Sequence, residues 1–394
     1  MNEIEAVAAF AVAAVVTLVI TPLTARLAVR WGAIDLPRDR DLHDAPVPRL
    51  GGLAILAGIL VSAIIFMPFD GETRGILGGA LVAGIVGSID DLYDLPPAVK
   101  LAGQMAAAAI PVAAGVRVET FTLPFLGSVD LGATGGGVLT GLAMVAVMNV
   151  VNFTDGVDGL AAGVCTISGV TFAIIALSLD RVDAGVLAAI TAGAALGFLW
   201  HNFHPASVFM GDAGSNLLGL LLACVAIQGV LKTAAVVALF FPLLILAVPA
   251  LDATFVVAKR IKYRRPVYSA DRWHFHHRFA NIGFSQRRTV LYLYGWTLSL
   301  AALALAMRFV PYSEDDGTLN TGWALVIAAF GLVALAASLY LVVVLEILKF
   351  RRFREREIQR QVETGEMPAL TAEQISEEVD REVETGEFEA VRGD

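Results

Sequence analysis

Little of this 394-residue chain is charged. Asp, Glu, Lys and Arg make up 16% of it, while 57% is hydrophobic and the mean hydropathy is +0.72. A soluble globular domain carries about a quarter of its residues as charges, so the composition excludes an ordinary soluble enzyme, and no nucleic-acid partner is expected. Cysteine is nearly absent. Cys165 and Cys224 both lie inside apolar runs, which reads as small buried hydrophobes and excludes a disulfide scaffold. Also missing are a Walker A loop, a G-x-S-x-G elbow and a Rossmann glycine run, so the chain is no obvious ATPase, serine hydrolase or nicotinamide enzyme. The first five residues hold two acids and no base, the reverse of a signal peptide, and cleavable secretion is not expected. The formal net charge of −9 carries no information about substrate. Residues 361–394 contain eleven acids and two bases, which accounts for all of it.

What the chain has in abundance is apolar runs of bilayer length. They predict an all-α polytopic membrane protein with about eleven transmembrane helices, near 4–30, 51–68, 75–89, 98–114, 134–152, 160–179, 184–201, 213–230, 233–258, 289–309 and 322–348. Bases collect in alternate connections. Arg38, Arg40 and Arg49 lie in one, a run from Lys259 to Arg288 in another, and Lys349 to Arg356 follow the last span. The excess of bases on one side predicts that side to be cytoplasmic, with the N-terminus outside and the C-terminus inside. Residues 117–131 alternate around a central glycine and predict a small outer β-hairpin. Residues 1–350 are expected to form the membrane domain and 351–394 a charged, partly disordered cytoplasmic tail, in which Thr371 and Gln374 have the spacing of a capping box.

The same parity puts Asp90, Asp91, Asp94, Asp155, Asp158, Asp212 and Asp252 on one side, with all six histidines on or next to it. Ionisable groups at membrane depth are costly, so a one-sided cluster marks a functional site. Five connections carry it: 31–50, 90–97, 152–159, 202–212 and 259–288. The first holds His43, Pro46-x-Pro48 and Gly51-Gly52, the glycines allowing close backbone approach. The second reads Asp90-Asp91-x-x-Asp94, followed by Lys100 and Gln104. Two carboxylates 4 Å apart repel by roughly 4 kcal/mol at an effective dielectric near 20, and a divalent cation or a base removes that penalty. A simpler reading makes Asp91 or Asp94 the cap of the helix starting near Pro96. Lys100 at a helix start opposes the dipole, which a nearby phosphate would offset.

The third connection is Asn149-x-x-Asn152-x-x-Asp155-Gly-x-Asp158-Gly, whose spacing of three puts Asn149, Asn152 and Asp155 on one helical face. The fourth runs from Asn202 to Ser215 and contains Phe209-Met-Gly-Asp212. Asp212 is either a helix cap or a ligand for Mg²⁺, which takes one or two carboxylates plus substrate phosphates. Phe209 is either an interfacial aromatic or a surface for a stacked base. The fifth contains Arg264, Arg265, His274, His276, His277 and Arg278. Lacking cysteine and helical His spacing, it suits a phosphate-bearing anion better than zinc.

With these loops in hand, residues 1–350 resemble the polyprenyl-phosphate N-acetylhexosamine-1-phosphate transferases, glycosyltransferase family 4. The likeness rests on Asp90-Asp91, Asn149 to Gly159, Asn202 to Ser215, and His274-x-His276-His277-Arg278. The last motif is similar to the undecaprenyl- or decaprenyl-phosphate GlcNAc-1-phosphate branch rather than to the phospho-MurNAc-pentapeptide enzymes. The resemblance implies UDP-GlcNAc and a membrane polyprenyl phosphate as substrates. It implies Mg²⁺ (Mn²⁺ as the alternative) as cofactor, and a bacterial inner-membrane protein, with a homodimer admitted. It also implies roles. Asp212 and Asp91 would bind metal, and Asp90, Asp91, Asp155 and His276 would be catalytic. Lys100, Asn152, Asp158, Phe209, Arg264, Arg265, His274 and His277 would bind substrate. The competing class is a cation-coupled transporter, whose carboxylates would lie near the bilayer midplane.

Overall fold

A computed structural model describes residues 2–36, 46–123, 127–231, 242–262, 285–312 and 320–343, and further on residues 355–356, 358–362, 371, 374–375, 377 and 379. The elements are, in order, α1 (Asn2–Trp31), β1 (Ile34–Asp35), β2 (Val47–Pro48), α2 (Gly51–Phe66), α3 (Gly71–Tyr93), α4 (Pro97–Ala113), β3 (Thr120–Leu123) and β4 (Gly127–Asp130). There follow α5 (Gly132–Thr154), α6 (Leu160–Ser178), α7 (Val182–Asn202), α8 (Gly211–Ala226) with a π turn over Ile227–Leu231, α9 (Ala247–Lys262), α10 (Gln286–Phe309) and α11 (Thr321–Val343). Among the described residues, eight helices are long and apolar enough to cross a membrane. The chain is a mostly helical, multi-pass membrane protein.

The helices follow the apolar runs but overrun two of them at acidic residues. Hydropathy ends the third span at residue 89, whereas α3 continues to Tyr93 and takes Asp90 and Asp91 into its last turn. Likewise α8 opens one residue before Asp212, where the apolar run starts at 213, while α5 ends at Thr154, two residues beyond the expected 152. The carboxylates are helical because they turn into the bundle and find partners there, which a hydropathy window cannot register. The hairpin expected over 117–131 forms as β3 paired antiparallel to β4, with Thr120 opposite Asp130 and Leu123 opposite Gly127. A second, shorter pair, Ile34 opposite Pro48 and Asp35 opposite Val47, was not foreseen. It closes the base of the first connection.

The chain divides into two compact units. The first comprises Met1–Leu251 and Leu293–Val310. Within it α7 packs on α1 and α6, α3 on α4 and α8, and α5 on α8. Lipid tails supply no hydrophobic drive between helices, so close van der Waals approach must hold the bundle. Gly193-x-x-x-Gly197 of α7 shows how: a methyl group at either position would overlap the backbone of Phe10 or Ala14 on α1. Ser62 Oγ adds an interhelical hydrogen bond to the Ala9 carbonyl at 2.8 Å. Cys165 and Cys224 are buried and unpaired, as read from the sequence.

The second unit comprises Asp252–Tyr292 and Pro311–Asp394. Asp252 is buried within α9. In the tail the capping box forms: Thr371 N donates to Gln374 Oε1 at 2.8 Å and Gln374 N to Thr371 Oγ1 at 3.3 Å. Ile358, Ile375 and Val379 bury together with Val362 against them.

Candidate functional site

Successive helices of the first unit run in alternate directions, so the C-termini of α3, α5 and α7 meet the N-termini of α4, α6 and α8 at one end. At that end Lys100, in the first turn of α4, joins two carboxylates. Its Nζ lies 2.7 Å from Asp212 Oδ2 and 3.1 Å from Asp90 Oδ2. Asp90 is buried, and its other oxygen accepts from Leu95 N at 2.7 Å, fixing the turn into α4. The sequence reading offset the awkward place of Lys100 with a phosphate. In the fold, two carboxylates already supply that negative charge.

Asp91 does something different. Its carboxylate accepts from the backbone of Asp212 (2.8 Å) and Ala213 (3.2 Å), capping α8 from a neighbouring helix. A carboxylate at a helix N-terminus satisfies orphan N–H groups and complements the dipole. Neither Asp91 nor Asp94 caps α4, which has no side-chain cap. Asp94 ends α3 in a left-handed conformation, φ 47°, largely exposed and 4.0 Å from the Arg49 guanidinium.

Asn152 Nδ2 donates to Asp212 Oδ1, and to Ser215 Oγ at 2.8 Å. Both oxygens of Asp212 are therefore engaged, one by an amide and one by an ammonium. A chain of amides, Gln104 and Asn216 buried and Asn149 half-buried, continues from Asp212. Asn149 Nδ2 donates to Gln104 Oε1 at 2.9 Å, Gln104 Nε2 to Asn216 Oδ1 at 2.8 Å, and Asn216 Nδ2 to the Asp212 carbonyl at 2.8 Å. Buried polar groups must be satisfied, and these bonds tie α4, α5 and α8 to one another.

The first and fourth connections are stitched backbone to backbone. Gly51 N donates to the Phe209 carbonyl at 3.0 Å, Gly52 N to that of Met210 at 2.9 Å, and Phe209 N to that of Pro48 at 2.8 Å. A Cβ on Gly52 would overlap the backbone of Gly214, which is the close approach the glycine pair predicted. Phe209 is half-buried beside Asp212 in the chain.

Asp158 belongs to a neighbouring cluster. It accepts from His204 Nδ1 at 2.8 Å and Ala206 N at 3.0 Å, while Asn202 Oδ1 accepts from Gly159 N at 3.0 Å. Asp155, the C-cap of α5, is half-buried. Desolvation, then the charges of Asp212, Asp91 and Asp158, push its carboxyl well above the ordinary carboxylate range, with Arg49 opposing. Like charges and burial both favour the protonated form.

Of the residues singled out from sequence, Asp90, Asp91, Lys100, Asn152 and Asp212 make direct contacts in one cluster. Asp155 feels the cluster's charges, and Asp158 sits in the adjoining loop. Arg264, Arg265, His274, His276 and His277 lie outside the described residues. Sequence reasoning overlooked Asn216, one turn beyond Asp212, as well as His204 as partner of Asp158, and Tyr294, whose hydroxyl reaches the Gly159 carbonyl. The i, i+4 spacing could have found Asn216; nothing local marks Tyr294.

No three His, Cys, Asp or Glu side chains converge as a complete metal cage among the described residues. The donor set nonetheless fits a hard divalent cation. Asp90 and Asp212 share one cation already, the surrounding acids outnumber the bases, and Mg²⁺ commonly takes one or two carboxylates and completes its shell with phosphate and water.

Fold and site together define a multi-pass membrane protein with an acid–ammonium cluster gathered at the ends of α3, α4, α5 and α8. The family model described as glycosyl transferase family 4 matches residues 73–230, which contain this cluster. A Bacillus subtilis protein named "Probable undecaprenyl-phosphate N-acetylglucosaminyl 1-phosphate transferase" is 38% identical over 77% of this chain and 85% of its own length. The decaprenyl-phosphate N-acetylglucosaminephosphotransferase of Mycobacterium leprae is 36% identical over 79% and 85%. A phospho-N-acetylmuramoyl-pentapeptide-transferase of Desulforudis audaxviator is 33% identical over 76% and 95%. The chain belongs to glycosyl transferase family 4, among the polyprenyl-phosphate N-acetylhexosamine-1-phosphate transferases.

Proposed function

We propose that this protein transfers GlcNAc-1-phosphate from UDP-GlcNAc to a membrane polyprenyl phosphate, giving polyprenyl-diphosphate-GlcNAc and UMP, the first membrane step of a cell-envelope polysaccharide. The observation that carries the proposal is the Asp90–Lys100–Asp212–Asn152 cluster, lying within the matched family segment of a chain whose more similar relatives are named for GlcNAc. An oxygen of the lipid phosphate attacks the phosphorus that bears the sugar. The bond from that phosphorus to the bridging oxygen breaks, and UMP leaves with the electron pair. Both reactants are anions, so catalysis is positioning and charge neutralisation.

Asp212 and Asp90 would hold Mg²⁺ (Mn²⁺ as substitute), which when bound supplies positive charge to the diphosphate oxygens. Lys100, released from one carboxylate, turns to phosphate. Asp91 keeps α8 and hence Asp212 in place. Asp155, with its raised proton affinity, takes a proton from a lipid phosphate that arrives protonated. Asn152, Asp158 and Phe209 face the nucleotide, and His274, His276, His277, Arg264 and Arg265 hold the sugar diphosphate. In this reading the site opens to the cytoplasm of a bacterial inner membrane, the N-terminus is outside, about eleven helices cross, and residues 351–394 form a cytoplasmic tail.

The test is purified protein with radiolabelled UDP-GlcNAc, undecaprenyl or decaprenyl phosphate and Mg²⁺. Label in the lipid phase with matching UMP supports the proposal. Transfer from UDP-MurNAc-pentapeptide instead would move the chain to the other branch, and ion flux in vesicles without lipid product would make it a transporter.

A further inference from the structure

The loop Asp155–Gly159 is held from several sides, and one holder comes from a distant part of the chain. Asn202 pins the Gly159 N–H, while His204 and Ala206 pin Asp158. The Gly159 carbonyl accepts from Tyr294 Oη at 2.5 Å as well as from Gly163 N at 3.0 Å, the first bond of α6. Tyr294 lies on α10, within Leu293–Val310 of the same compact unit. Its ring occupies a niche that exists because residue 163 is glycine: a Cβ there would overlap the ring carbons and the hydroxyl. The hydroxyl and the niche are separate observations, and both fit this aromatic to this loop. A half-buried ring on an apolar helix needs no hydroxyl for packing, so the polar tip is directed at the carbonyl. Gly159 itself has φ +81°, a conformation in which the peptide planes on either side set the direction of the Asp155–Asp158 turn.

We infer that Tyr294 is a positioning residue for the nucleotide-sugar donor. By clamping the Gly159 carbonyl it holds the neighbouring Asp158 in the geometry that receives the donor, and the partner of its hydroxyl is this loop rather than Lys100. This rests on the proposed reading of Asp158 as a donor-side residue. Loss of one neutral hydrogen bond at such a clamp corresponds to about three- to tenfold in affinity.

The full-length protein in detergent, as wild type, Tyr294→Phe and Gly163→Ala, is titrated with UDP-GlcNAc in the absence of lipid and then assayed for transfer. Tyr294→Phe keeps the ring in its niche and should raise the Kd and KM for UDP-GlcNAc about fivefold, leaving the KM for polyprenyl phosphate and the melting temperature unchanged. Gly163→Ala, which displaces the ring, should shift the donor constants in the same direction. Wild type that neither binds nor turns over UDP-GlcNAc would overturn the proposed function. Wild type that binds it, with Tyr294→Phe indistinguishable from it, would overturn the positioning role. A lowered melting temperature with both KM values raised equally would make Tyr294 a packing residue only and overturn the inference as well.

Discussion

Replacing Lys100 by methionine removes an ammonium and keeps the length of the stem. In the wild type that ammonium touches both Asp212 and Asp90. Because both carboxylate oxygens lie against the same nitrogen, they are within about 6 Å of each other, where two full charges repel by about 3 kcal/mol at an effective dielectric near 20. Deleting one partner of a buried pair typically costs about 3–5 kcal/mol. Lys100 retains about a quarter of its side-chain exposure, so solvent screening puts the expected loss near the lower end, about 2–3 kcal/mol. The variant should therefore melt earlier in detergent without added metal. Mg²⁺ should then restore more stability to the variant than to the wild type, because two carboxylates with no internal counter-ion bind a divalent cation better and binding stabilises by mass action. Transfer activity should fall by at least a hundredfold even at saturating Mg²⁺, since the phosphate-binding charge is gone. The assay is a thermal melt over a Mg²⁺ titration, paired with UMP release. A variant as stable as wild type, with an equal Mg²⁺ response, would refute the counter-ion reasoning.

Asp212→Ala should abolish UMP release, and retained turnover would remove it as the metal-holding group. Asp91→Ala uncaps α8 and should cost about 1–2 kcal/mol in a denaturation assay, whereas Asp91→Asn, which keeps an acceptor oxygen, should lose less. Asp155 binds its proton more tightly in the folded state than the ordinary carboxyl near 3.8. The stability it contributes is present below that value and is lost as pH rises through the raised folded pKa, so Asp155→Asn should melt higher than wild type at neutral pH and the same at pH 3. If Asp155 takes the proton in transfer, the acid limb of the kcat/KM profile should lie above the ordinary carboxylate range and disappear in Asp155→Asn. Gly52→Val should destabilise by about 1–3 kcal/mol through overpacking against α8, read as a lower melting temperature.

The chain's helical order and most of its element boundaries are legible because a bilayer imposes one strong local constraint: a run of apolar residues long enough to cross, with backbone groups satisfied within the helix. The loops that gather the acidic cluster are legible for the complementary reason, since charges at such depth stand out against the background. The hairpin at 120–130 and the capping box at Thr371 follow from equally local rules. Boundaries failed at Asp90 and Asp212, where polar side chains extend a helix because their partners lie on other helices.

Sequence by itself determined that this is a polytopic helical membrane protein of a recognisable transferase family, and it singled out a handful of Asp, Asn, Lys and His residues as candidates for the working end. Only the tertiary structure decided what each does to its neighbours. Asp91 caps α8, Asp90 and Asp212 share Lys100, Asp158 pairs with His204 rather than with that cluster, and Tyr294 reaches back to Gly159. Those assignments depend on which helix ends meet across the bundle, and hydrogen bonds and ion pairs between separate elements leave no periodicity or spacing in the chain from which they could be read.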